Sequence, residues 1–347
     1  MLAARIVDFR CPRSASPLQL VDAVVEGGEI VSGKLVSAQG FVYPIEDGAP
    51  NFVDAALLSA IEASTQVEYD RVADGIYDTA LDWQFAALYQ DEDQVREAML
   101  DLLGPLAGKA VLEVGCGTGR DSFRLARRLG KGGRLHLQDL SPGMVRACRR
   151  KLPGLTGAAA ECELDYSVSN ATELPFNDGV FDAVFHFGGF NQFGDLKKGA
   201  AELTRVTKRG GRVVIGDEAV APWLKGTEFD AIVTTNNALF KAEAPLAALP
   251  ESARDVEVRW IIGNCFYVIG YTKGEGPPPL NLDLPHRGWR GGTLRSRYFG
   301  VLEGVSVEAK AQARQAAAKA GVSVHEWVDR LVKREAELLL GPPKSEP

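Results

Sequence analysis

Along the 347-residue chain the spacing of apolar positions changes character twice. Residues 1–55 carry brief β-branched runs punctuated by Pro12, Gly27, Gly28, Gly33 and Gly40, and end in Tyr43-Pro44-Ile45-Glu46-Asp47-Gly48. This predicts a small β ribbon with too little material for a core of its own. From 57 to 106 the apolar period is helical. The segment 91–103 opens on Asp91, Glu92 and Asp93, the charges a helix N-terminus favours. Beyond it, short apolar runs at 110–114, 134–137, 183–187 and 212–215 alternate with amphipathic stretches at 120–128, 142–151 and 196–206. Strand alternating with helix predicts an α/β fold with a doubly wound, mainly parallel sheet. Two more strands, near 256–262 and 265–272, are separated by Gly263-Asn264 and predict a hairpin. After Pro277-Pro278-Pro279, a basic and extended stretch (291–305) precedes helices at 306–320 and 323–340 broken at Gly321. The expected organisation is therefore a ribbon (1–55), a central domain opening with lid helices (56–276), and a linker with a C-terminal strand-helix-helix unit (277–347).

Composition narrows the classes. With 46% hydrophobic and 24% charged residues, no apolar run approaches the roughly 18 to 20 residues of a membrane span. The first residues lack the apolar stretch of a secretory signal. Five cysteines without paired spacing, Cys11, Cys116, Cys148, Cys162 and Cys265, fit a reducing cytoplasm, the expected location. The net charge of -7 hides an asymmetry: between His286 and Arg334, ten Lys and Arg face four Asp and Glu. The tail would attract a polyanion more readily than the acidic body would.

The candidate chemistry centres on the loop Glu113-Val114-Gly115-Cys116-Gly117-Thr118-Gly119. Three glycines after a strand let the backbone turn sharply and approach a ligand, and the following helix aims N–H groups at it. Asp139, about 20 residues on at the end of the next strand, is placed to accept hydrogen bonds from both hydroxyls of a ribose. The spacing is Gly-x-Gly-x-Gly rather than the Gly-x-Gly-x-x-Gly of dinucleotide folds.

The ordered set Val111 to Gly119, Asp139-Leu140-Ser141-Pro142-Gly143-Met144, Asn170-Ala171-Thr172-Glu173-Leu174-Pro175-Phe176, Phe181-Asp182-Ala183-Val184 and the 203–212 stretch resembles the ubiquinone/menaquinone C-methyltransferase group of class I S-adenosyl-L-methionine (SAM)-dependent methyltransferases. The resemblance covers roughly residues 108–217. It implies a seven-stranded Rossmann-like sheet and SAM as cofactor. It places Gly115 and Gly117 at the methionine and ribose portion, Asp139 at the ribose, Met144 on the adenine face, and Asn170 and Ala171 at the adenine edge, with Glu113, Cys116 and Leu140 also among the cofactor-binding residues. The family usually has Asp at the Asn170 position. Tyr77, with Tyr69, would form part of a lid over the cofactor, although ordinary helix packing accounts equally for both.

Methyl transfer is an in-line displacement, so the protein mainly aligns a nucleophile and excludes water. His186, at the end of the fourth strand, and Glu218, after the fifth, are the candidate catalytic groups. A hydrogen-bonded structural histidine is the competing account of His186. The aromatic density at 185–193, with Trp223, Phe229 and Trp260, favours an apolar or planar small-molecule acceptor. RNA modification is the alternative suggested by the ribbon and the basic tail, and a SAM-binding dimeric DNA-binding regulator is the third. The Asn/Asp-Pro-Pro-Tyr/Phe motif of base-amino methyltransferases is absent.

Two flanking resemblances complete the reading. Residues 8–53 resemble the zinc ribbon of methyltransferase activator proteins and of a ribosomal RNA guanine methyltransferase. Of its ligand positions only Cys11 is kept, with Ser14, Val36 and Gln39 at the others, so no metal is expected. Residues 294–340 resemble a ribbon-helix-helix unit. In that fold two chains pair strands, which implies a homodimer held by Val305, Val307, Val322, Val324, Trp327, Val328 and Leu331 rather than nucleic-acid binding.

Overall fold

The computed structural model describes residues 1–73, 75–154, 157–288, 291–298 and 305–341. Strands β1 (Leu18–Glu26), β2 (Glu29–Ser37), β3 (Val42–Glu46) and β4 (Ala49–Pro50) form an antiparallel sheet in that order. Helices α1 (Ala60–Val72), α2 (Ile76–Ala87) and α3 (Glu92–Leu100) follow. The second sheet contains β5 (Ala110–Val114), β6 (Arg134–Asp139), β7 (Glu163–Val168), β8 (Phe181–Phe187), β9 (Thr207–Glu218), β10 (Ala253–Ile261) and β11 (Phe266–Lys273). Between its strands run α4 (Ser122–Leu129), α5 (Pro142–Lys151), α6 (Leu196–Val206) and α7 (Glu228–Asn236). The strand order is β10-β11-β9-β8-β5-β6-β7. The β9-β8-β5-β6-β7 portion is parallel, while β11 runs antiparallel to β9 and β10. All five residues of β5 are buried, as a central parallel strand covered on both faces requires. The order reverses beside β5, and in such sheets ligands bind at that switch point, beyond the C-terminal strand ends.

The ribbon is not a free-standing body. Asn51 pairs in parallel with Val168 of β7, and the Phe52 N–H donates to the Val168 carbonyl at 2.8 Å, so the ribbon extends the edge of the large sheet. Phe9 stacks on Phe176 with centroids 5.0 Å apart, and Phe9, Leu35, Tyr43, Ile45 and Phe52 share one apolar cluster with Phe176, Phe181 and Leu112. A segment without enough apolar surface for its own core is stabilised by borrowing one. Strand β7 had no apolar run to announce it. Its sequence Glu-Leu-Asp-Tyr-Ser-Val alternates, yet Asp165 and Ser167 are buried because the ribbon covers that edge.

At the positions where a zinc ribbon carries ligands, the Cys11 Sγ lies 3.1 Å from the Tyr43 hydroxyl and the Ser14 hydroxyl donates to Gln39 Oε1 at 2.9 Å. Among the described residues, no group of three or more His, Cys, Asp or Glu side chains is placed to hold a metal. No helix among them is long and apolar enough to cross a membrane.

The chain divides after Pro278 into two compact units. In the second, α8 (Leu294–Tyr298) replaces the expected extended stretch. The cause is local: the Thr293 N–H donates to Ser296 Oγ at 2.9 Å and the Ser296 N–H to Thr293 Oγ1 at 3.1 Å, a reciprocal cap that starts a helix. Residues 299–304, including Phe299-Gly300-Val301-Leu302, lie outside the described residues. Helices α9 (Val307–Ala320) and α10 (Val324–Leu340) are capped by Ser306 and Ser323 and separated at Gly321 in the left-handed region. They pack on each other around a groove lined by Ala313, Trp327, Val328 and Leu331. Val307, expected on the apolar face, is 78% exposed.

Candidate active site

The loop after β5 turns on three glycines in the positive-φ region, Gly115 at 67°, Gly117 at 52° and Gly119 at 91°. At Gly115 a second constraint applies, since an added Cβ would sit 3.1 Å from His186 Cε1. Asp139 organises the loop: its Oδ2 accepts the Gly117 N–H at 2.9 Å and its Oδ1 accepts the Ser141 N–H at 2.9 Å. Burial pushes the Asp139 carboxyl up to about 6 against the opposing pull of the Ser141, Gly117 and Leu140 N–H groups.

His186 lies beneath the same loop, fully buried, with Nδ1 2.7 Å from the Val114 carbonyl oxygen. A carbonyl only accepts, so Nδ1 carries the hydrogen and Nε2 is left as a lone pair. Nε2 is buried without a partner. Burial lowers the imidazole pKa, which keeps the ring neutral.

The helices preceding β5 close over this loop. Glu62 on α1 accepts from Asn170 Nδ2 at 2.9 Å and from the Gly194 N–H at 3.2 Å, while its other oxygen takes the Ser59 hydroxyl at 2.7 Å. Gln66 Nε2 donates to the Leu140 carbonyl at 2.9 Å, and Asp70 Oδ1 accepts from Ser141 Oγ at 2.6 Å and the Gly143 N–H at 2.7 Å. On α2, Asp78 Oδ1 accepts from Thr118 Oγ1 at 2.6 Å. Sequence reasoning missed Glu62, Asp70 and Asp78. For Glu62 the signal was present as Ser59-x-x-Glu62, a capping box that the structure forms. Its second task, holding Asn170, is set only by the fold.

Two cavities meet at this loop. A narrow crevice is bounded by Asp139, Leu140, Asn170, Ala171, His186 and the α1 residue Glu62. A larger cavity of about 400 Å³ is bounded by the polar residues Glu113, Cys116, Arg96 and Asp121 and the apolar Phe85, Phe187 and Phe266. Tyr69, Tyr77, Gly115, Gly117, Gly188, Gly189 and Gln192 line both. The Tyr69 and Tyr77 rings lie edge to face, 5.9 Å apart, and the Tyr69 hydroxyl donates to Gln192 Oε1 at 3.1 Å.

The sequence-selected residues therefore divide. Asp139, Leu140, Asn170, Ala171 and His186 border the crevice, and Glu113, Cys116 and Glu218 the larger cavity. Tyr77, Gly115 and Gly117 serve both. Met144 borders neither. It is buried with Ala73 and Ala147 against Tyr69, Val72 and Tyr77, beneath the lid rather than on a cavity wall. Trp223, Phe229 and Trp260 also lie outside both linings, with Trp223 and Trp260 stacked edge to face at 5.8 Å. Asn170 does not offer its oxygen to the crevice, because that oxygen accepts from the Thr172 N–H at 2.9 Å.

Residues 111–211 match the family described as a methyltransferase domain. Over 128 residues the chain is 38% identical to a demethylmenaquinone methyltransferase of Beutenbergia cavernae, covering 37% of this chain and 48% of that protein. It is 29% identical over 203 residues to the ubiquinone/menaquinone biosynthesis C-methyltransferase UbiE of Hydrogenovibrio crunogenus, covering 55% and 77%. A solved SAM-dependent methyltransferase from Aquifex aeolicus is 22% identical with a TM-score of 0.39, covering 53% of this chain and 94% of that one. The chain spans about half the length of the first curated relatives it matches.

Proposed function

We propose that this protein transfers a methyl group from SAM to a small, apolar or planar acceptor. The observation that carries the reading is the meeting of the two cavities at Gly115, Gly117, Tyr69 and Tyr77, one lined by the Asp139 carboxylate and the other by Phe85, Phe187 and Phe266 among its residues. The cofactor is S-adenosyl-L-methionine. Its fit is supported by buried groups that lack partners: Glu113 Oε2 and Asp121 Oδ1 have no hydrogen bond, and both residues border the larger cavity, where an ammonium group would be accepted. Glu113, raised well above the usual carboxylate range by burial and by nearby Asp121, would ionise beside that cation.

In this assignment Asp139 receives the ribose hydroxyls and Leu140 and Ala171 flank the nucleoside. Gly115 and Gly117 admit the methionine portion, with Cys116 behind the loop. Tyr77 and Tyr69 close over the junction. When bound, SAM would supply an electrophilic methyl carbon to the acceptor and leave as the neutral thioether S-adenosylhomocysteine. The protein's contribution is alignment and exclusion of water by the lid helices. Because α1 closes down the crevice through Glu62 and Gln66, cofactor entry requires α1 to swing outward. His186 fixes the loop through Val114 and borders the crevice, and because burial lowers its pKa it is a weak base for the acceptor's proton. The second unit serves as a homodimerisation element built on α9 and α10. Calorimetry with S-adenosylhomocysteine, followed by incubation of labelled SAM with metabolite extracts from cells lacking the gene, tests the assignment. No measurable cofactor binding would end it.

A further inference from the structure

Glu218 closes β9 and faces Phe266 across the β9–β11 pairing. It borders the larger cavity on the side walled by Leu81 and Phe85 of α2, Phe187, Leu239 and Ile262. Its backbone is held on every side. Asp217, fully buried, accepts the Gly189 N–H at 3.0 Å and the Glu218 N–H at 2.9 Å on one oxygen and the Asn191 N–H on the other. The Glu218 carbonyl accepts from Asn191 Nδ2 at 2.6 Å, and Asn191 Oδ1 takes the Tyr267 hydroxyl at 3.2 Å.

The Glu218 carboxyl stands beside Asp217, whose oxygens are taken by three N–H groups. Burial and the neighbouring Asp217 raise the Glu218 carboxyl well above the usual carboxylate range. A Glu218 carboxyl oxygen is thus an acceptor at a cavity of about 400 Å³ whose lining also includes these apolar residues, and a few placed polar groups among apolar ones are what fix the orientation of a small molecule.

We propose that Glu218 is the acceptor-orienting residue: it receives a hydrogen bond from a hydroxyl on the rim of a ring-shaped acceptor whose body lies against Phe85, Phe187 and Phe266. The inference rests on the methyl-transfer reading, which assigns the crevice and the part of the larger cavity at Glu113 and Asp121 to the cofactor and leaves the remainder of the larger cavity to the acceptor. Glu218 and His186 therefore have separate tasks. The aromatic walls make face and edge contacts with a ring, Phe187 and Phe266 being tilted by 33° with centroids 5.7 Å apart.

The test uses the full chain loaded with S-adenosylhomocysteine and two probes of equal shape, 2-naphthol and naphthalene. Fluorescence titration of the wild type should show 2-naphthol binding at least tenfold tighter. Glu218→Leu should abolish that ratio while leaving naphthalene binding intact, whereas Glu218→Gln, which keeps an oxygen acceptor, should retain part of it. Leu81→Trp, which narrows the cavity from the lid side, should weaken both probes together. Cofactor affinity measured on each variant reports folding separately, and its absence in the wild type would strike the methyl-transfer reading rather than this one. Equal binding of the two probes, failure of both to bind, or a ratio that survives Glu218→Leu would each overturn the assignment.

Discussion

The Asn170 side-chain amide donates to the Glu62 carboxylate across 2.9 Å, and with the longer bond from Thr172 Oγ1 at 3.4 Å it ties the loop after β7 to the first lid helix. Burial works against charge on Glu62, yet hydrogen bonds from Ser59, Asn170 and Gly194 hold its carboxyl below the usual range. The amide is thus required here as a donor. Replacing it by Asn170→Asp, the residue related methyltransferases usually carry, would set two carboxylates at hydrogen-bond distance. The expected cost is about 1 to 3 kcal/mol of stability at pH 7, recovered in part near pH 5 as the pair takes up a proton. Urea unfolding at the two pH values checks this, and a variant as stable as the wild type at pH 7 would show that Glu62 does not depend on Asn170.

Cofactor affinity is expected to depend on pH through Asp139. With its carboxyl raised to about 6 in the free protein, binding to ribose hydroxyls below that pH requires a proton to leave first. Affinity for S-adenosylhomocysteine should be flat above about pH 7 and fall by up to about tenfold per unit below pH 6. Asp139→Ala should bind more weakly by at least about 1 to 3 kcal/mol and lose that dependence. Calorimetry across the range decides, and a steep slope persisting in Asp139→Ala would assign it to another group.

Acid stability should be limited by His136. This ring is buried between Phe9, Phe176 and Phe181, its Nε2 2.8 Å from Ser167 Oγ, and burial depresses its pKa to about 3. The unfolded chain takes up the proton near pH 6.5 while the folded one refuses it until about 3. Stability is therefore lost as pH falls from 6.5 toward 3, at about 1.4 kcal/mol per unit. Raised carboxylates such as Asp139 oppose this between about pH 6 and 4. A comparison with His136→Phe isolates the histidine: the variant's stability should decline less steeply below pH 6. Parallel curves would exclude His136 as the cause.

The C-terminal unit is expected to hold two chains together. Helices α9 and α10 leave Trp327, Val328 and Leu331 lining an open groove, and Val324 and Val332 are exposed by 41% and 46%. Two helices of this size bury too little apolar surface alone. Sedimentation of the full chain should give a dimer at micromolar concentration, and a truncation after Gly276 a monomer. If the full chain also sediments as a monomer, the dimer is wrong.

The sequence by itself carried the parallel sheet, because a strand buried on both faces is a near-continuous apolar run: 110–114, apolar but for Glu113, is read directly and reappears as β5. Helices 142–151 and 196–206 were equally legible from period and caps, and coincide with α5 and α6. So were the glycine loop's turn and the position of Asp139 at the end of the next strand, which follow from residue type at fixed spacing. Tertiary structure decided what periodicity does not encode. Strand β7 looked too polar until the ribbon covered its edge, and Leu294–Tyr298 became helical because Thr293 and Ser296 cap each other. Met144 was expected at the cofactor, but the packing of α1 and α2 over α5 seats it under Tyr69 and Tyr77 instead. His186 and Glu218, indistinguishable in sequence as polar residues at strand ends, are separated into different cavities because β8 lies next to β5 and β9 one strand farther out, paired with β11. Which strand neighbours which is set by the whole sheet's burial of its two faces, a long-range choice that no local pattern contains.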